Sequence, residues 1–153
     1  MAQEIGPFQG AVAWTAADLK QDQSWRIFLT EAERDEVRAA ARTALSAGKP
    51  ITQLTAANFP LPKLGPRLIE FRNDLEGGRG FILLQGLPVE DLSDEDAPVL
   101  LWGVGQYLGI PEPQDKAGAL LHMVTDTGAE IDRSDNIRGF QTNEELNFFQ
   151  MNF

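Results

Sequence analysis

The hydrophobic positions of the chain change period along its length, and the changes mark out elements. In "LTEAERDEVRAAARTALSAGKP", Val37, Ala40, Ala41, Ala44 and Leu45 recur at the 3–4 residue spacing of one helix face. Thr30 followed by Glu33 is a capping-box pair, and the acidic first turn opposes the positive end of the helix dipole. Gly48 and Pro50 close the segment, which predicts a helix of about four turns. Prolines 60, 62 and 66 then interrupt any regular pattern, so an extended connector is expected over "TQLTAANFPLPKLGP", with Pro66 entering the first turn of the next helix. That helix, "RLIEFRNDLE", aligns Leu68, Phe71 or Arg72, and Leu75 on one side and stops at Gly77-Gly78.

The period then disappears. "GRGFILLQGLP" is a continuous apolar run between glycines, the pattern of a short strand buried on both faces. Ser93 with Asp94, Glu95 and Asp96 begins a further helix that runs through "APVLLWGVGQYLG" to Gly109, with Pro98 placed late enough to distort its opening turn. Two more strands are expected, "ALLHMVTD" and "IRGFQTNEELNFF", separated by the turn-rich "TGAEIDRSDN". Helices and strands alternate first and strands follow, which points to an α+β fold. No internal repeat and no low-complexity segment interrupts the pattern.

Composition narrows the function. The 153 residues suit one domain with a real core, and 13 basic against 23 acidic side chains leave a formal charge of −10. That charge repels phosphate backbones and anionic membranes, so no nucleic acid and no membrane partner is expected. Cysteine is absent, which excludes disulfides and thiolate metal sites. The opening "MAQEIGPFQG" has neither a basic stretch nor an apolar signal core, and a cytoplasmic protein is expected.

Candidate chemistry is sparse. His122, the single histidine, lies within "ALLHMV", where a hydrogen-bonded side chain in or beside a sheet accounts for it. No metal-binding spacing of histidines and carboxylates is present. The glycines of "WGVGQYLG" fall inside a predicted helix, so close packing explains them better than a phosphate loop. The cluster "EDLSDED" could hold a hard cation, but helix capping and dipole compensation already explain it. Trp14, Trp25 and Trp102 have no basic residues interleaved for base stacking and read as core or edge-of-core anchors. Arg138, Gln141, Thr142, Asn143 and Glu145 could line a pocket from a strand, with a solvated face as the rival reading.

The order of motifs "AVAWTAADLKQDQSW", "NFPLPKLGPRL", "LEGGRGFILLQGLPVEDLSDEDAPVLLWGVGQYLG", "PEPQDKAGALLHMVTDTG" and "NIRGFQTNEEL" resembles the N-terminal part of the taurine dioxygenase-like family, from about Val12 to Phe148. These are Fe(II)- and 2-oxoglutarate-dependent dioxygenases with a clavaminate synthase-like jelly-roll fold. The resemblance implies one incomplete dioxygenase-like domain over 1–153: an arm at 1–29, helices with one buried strand at 30–109, and a strand-rich end at 110–153. It also implies that the stretch after "QTN" should continue as Phe-His-Thr-Asp or a close variant. There the His and Asp supply two of three iron ligands, and a second His and an Arg lie far downstream.

Phe148 matches the aromatic residue, but Phe149 stands where the His should be and Met151 where the Asp should be. A phenyl ring has no lone pair to donate, and a thioether is a soft ligand poorly matched to ferrous iron. The resemblance therefore implies iron and 2-oxoglutarate for the family, while neither is expected to bind this chain alone. By matching position, Gln141, Thr142, Asn143 and Glu145 would serve as substrate-contacting or supporting residues, with Gln114 a lesser candidate. Three readings stay open at this stage. The chain is a truncated or split piece of a dioxygenase, or a non-catalytic partner of a complementing chain or of a second copy, docking through the apolar residues 145–153, or a gene remnant.

Overall fold

The computed structural model describes residues 9–123. The expected strand at "IRGFQTNEELNFF", the turn before it and residues 124–126 of "ALLHMVTD" lie outside the described residues. The backbone divides after Pro111 into two compact units, each described here by itself.

The described residues of the first unit form four α-helices, α1 (Ala16–Gln21), α2 (Glu31–Ser46), α3 (Leu64–Gly77) and α4 (Pro98–Leu108), and two strands, β1 (Arg26–Phe28) and β2 (Leu83–Gln85). Single 3-10 turns lie at Gly10–Val12, Ile51–Gln53 and Val89–Asp91. The strands pair in parallel, with Arg26, Ile27 and Phe28 opposite Leu83, Leu84 and Gln85. A mixed α+β architecture is thus present, with helices dominating the described residues.

The predicted start of α2 is realised in detail. Thr30 N–H and Oγ1–H both donate to Glu33 Oε2 at 2.8 Å, while Glu33 N–H donates to Thr30 Oγ1 at 3.3 Å. Val37, Ala40, Ala41 and Ala44 are buried, as their spacing requires. Gly48 follows the helix with φ +62°, a left-handed conformation that favours glycine, and so ends it. A second capping box, Thr15 with Asp18, starts α1.

α3 begins at Leu64, three residues before the expected start. Pro66 tolerates a first-turn position because that turn has no intrahelical acceptor for its missing N–H. The first-turn donors are satisfied across the fold: Lys63 N–H and Leu64 N–H donate to the Glu36 carboxylate of α2, each at 2.8 Å. The preceding connector is less extended than expected, since it contains the 3-10 turn and a tight turn in which Thr55 N–H and Oγ1–H donate to Asn58 Oδ1, both at 3.2 Å.

The core lies where α3 and α4 pack together and α2 closes against α4. Phe59, Leu61, Leu64, Leu68, Val99, Leu100 and Trp102 are buried there. α4 binds the connector through two side chains. Trp102 Nε1–H donates to Leu54 O at 2.9 Å, and Tyr107 accepts from Leu61 N–H and donates to Phe59 O, both at 3.0 Å. A Cβ on Gly103 would fall 2.3 Å from Phe59 Cγ, so this glycine lets the ring lie against the helix. Close packing therefore explains Gly103 but not Gly105, which has open space around it.

Three expectations need correction. The run after Gly78 is not a strand buried on both faces: β2 has three residues, and Leu83 is 43% exposed. Among the described residues it pairs only with β1, and the remaining two residues of the strand are half-buried rather than enclosed. The helix expected from Ser93 starts at Pro98. Ser93 O instead accepts from Asp96 N–H at 3.0 Å and Ala97 N–H at 2.8 Å in a turn that precedes the helix, and proline, lacking an N–H, fits its first position. Ala119–Met123 is not a strand either; local hydrogen bonds within the preceding loop take its first amide.

Candidate functional site

The residues that resemblance places nearest a catalytic centre, Gln141, Thr142, Asn143 and Glu145, lie outside the described residues, as do Phe149 and Met151. Of the sequence candidates, the structure describes Gln114 and His122, both in the second unit, whose described part is Glu112–Met123.

That segment is organised by one carboxylate. Asp115 Oδ1 accepts from Ala117 N–H at 2.8 Å and Ala119 N–H at 3.0 Å, and Oδ2 lies 3.0 Å from His122 Nε2. Gln114 N–H donates to Ala119 O at 2.7 Å, closing the same loop. The Gln114 side chain turns back on its own backbone, with Nε2–H donating to Glu112 O at 2.8 Å. The Ala119 amide, with the Ala117 amide and His122, holds the Asp115 carboxyl below the ordinary range against the opposing effect of burial.

His122 therefore does have a hydrogen-bond partner, but in a half-exposed loop rather than in or beside a sheet. The residue missed by the sequence argument is Asp115. The signal available was "DKAG", an aspartate ahead of a small residue and a glycine, the composition of a turn in which the side chain captures amides two and four positions on.

Among the described residues, no three histidine, aspartate or glutamate side chains converge as metal ligands. His122 and Asp115 bond to each other, and the second oxygen of Asp115 is engaged by two amides. This donor set does not fit a three-ligand iron centre. The first two carboxylates of the acidic cluster "EDLSDED", Glu90 and Asp91, are also engaged elsewhere. Arg34 donates to Gly86 O and Glu90 Oε1, each at 2.6 Å, and Arg38 Nε donates to Asp91 Oδ2 at 2.6 Å. Arg38 also meets Glu31 at 2.8 Å and Asp35 at 2.9 Å. The segment after β2 is thereby fastened to α2.

The first unit has a cavity of about 420 Å³ beside the N-terminal segment, lined by Trp14, Asp18, Leu19, Asp22, Asp74 and Arg79 among others. Its wall is held by aromatic contacts and an ion pair. Trp14 meets Phe81 edge-on at 4.9 Å and donates Nε1–H to Arg79 O at 3.2 Å, while Arg79 reaches Asp22 at 2.6 Å. Trp25 also packs on Phe81, with ring centroids 5.6 Å apart. The expectation of a core anchor holds for Trp102 and that of an edge-of-core anchor for half-buried Trp25, whereas Trp14 is 45% exposed and packs on Phe81 at the surface.

No protein-family model matches the chain. Two curated proteins do. The chain is 31% identical over 140 residues to FR-33289 synthase of Streptomyces rubellomurinus, an alignment covering 92% of this chain and 41% of that protein. It is 25% identical over 133 residues to the taurine hydroxylase-like protein SAT17 of Stachybotrys chartarum, covering 86% of this chain and 34% of that protein. The resemblance to the taurine dioxygenase-like family holds. The chain spans less than half the length of either of these relatives, so the relatives contain a large region with no counterpart in the alignment.

Proposed function

We propose that these 153 residues constitute the N-terminal portion of a Fe(II)- and 2-oxoglutarate-dependent dioxygenase fold and do not catalyse oxidation by themselves. The observation that carries this reading is the pairing of near-complete coverage of this chain with 41% coverage of FR-33289 synthase. The donor chemistry agrees: Phe149 and Met151 occupy the positions that resemblance assigns to two iron ligands, and the sole histidine, His122, pairs with Asp115. In a completed domain the jelly-roll strands would follow the described helices, and Gln141, Thr142, Asn143 and Glu145 would face the substrate or support residues that do.

Calorimetric titration of the purified chain with ferrous iron and 2-oxoglutarate under anaerobic conditions tests the proposal. No stoichiometric heat and no succinate on later exposure to oxygen is the expected outcome. Tight one-to-one binding, or turnover of 2-oxoglutarate by this chain alone, would overturn it.

A second reading, a non-catalytic binding partner, is favoured by the aromatic-rich segment "LNFFQMNF", whose composition suits addition to a sheet edge of a partner or of a second copy. Light scattering of the purified chain should then give a mass above 16.9 kDa that returns to the monomer value when Phe148 and Phe149 are replaced by serine. A monomer that excludes hydrophobic dyes would eliminate this reading.

A further inference from the structure

We draw no further inference here: the strongest candidate, the cavity of about 420 Å³ between the N-terminal segment, α1 and the C-terminal end of α3, is walled by an acidic cluster whose Asp18 and Asp22 are already engaged by Thr15, Ser24 and Arg79, and nothing in the structure indicates a ligand for it.

Discussion

Glu33 shows how one side chain can serve two levels of organisation. One carboxylate oxygen completes the capping box at the start of α2, and the other meets Arg67 of α3, although the residue is only 6% exposed. Burial pushes its pKa up, but the hydrogen bonds from Arg67 and Thr30, together with the Arg67 charge, outweigh that and leave the carboxyl below its ordinary range. A depressed folded-state pKa stabilises the fold above the unfolded carboxylate pKa, and that stability is lost as pH falls through the folded value. Glu33→Gln should therefore destabilise the protein by about 1.5–3 kcal/mol near neutral pH. In urea denaturation series, the gap between variant and parent should close as pH is lowered below about 4. A gap independent of pH would show that ionisation of Glu33 contributes nothing. The capping half of this arrangement was legible as Thr-x-x-Glu. The Arg67 half was not, because a partner 34 residues away leaves no local pattern.

Between elements, the structure relies on backbone groups satisfied by side chains from elsewhere. α3 has no side-chain cap of its own, and Glu36 of α2 supplies one through the amides of Lys63 and Leu64. Glu36→Ala should cost about 1 kcal/mol, as loss of an N-cap does. Amide hydrogen exchange should localise the loss to the first turn of α3; acceleration spread evenly over α2 and α3 would argue against a capping role. α4 against the Phe59 turn is a different case, limited by space rather than by hydrogen bonds. Gly103→Ala would drive a methyl group into the ring, at a cost of about 1–3 kcal/mol for overpacking. Gly105→Ala, in open space, should be neutral or stabilising by up to about 1 kcal/mol through helix propensity. Equal effects of the two substitutions on the denaturation midpoint would contradict the packing described. Sequence periodicity located both glycines inside a helix, yet could not tell them apart, since only the position of Phe59 does so. The same gap in local information explains the misplaced start of α4: Ser93 and three acidic residues form a valid capping pattern, but Pro98 has no N–H to continue a helix begun there, so the pattern closes a turn instead.

Across the whole molecule, charge and apolar surface pull in opposite directions. The excess of 10 negative charges disfavours self-association at low ionic strength, whereas exposed side chains such as Phe28, 60% exposed beside Arg26, favour it. If copies associate through the aromatic residues at 145–153, added salt should raise the mass seen by light scattering by screening that repulsion. A mass that falls with salt would instead indicate ion pairing between copies. The sequence by itself determined the helical character of 31–46 and 67–76, the capping at Thr30, the stop at Gly77-Gly78 and the family likeness, because each rests on neighbours within about one or two turns or on residue identity in order. Only the tertiary structure decided that Leu83 stays partly exposed, that Glu36 caps a helix 28 residues away, and that Asp115 rather than a sheet holds His122. Those outcomes depend on which backbone groups meet in space and which remain without a neighbour, and residue order along the chain does not encode that directly.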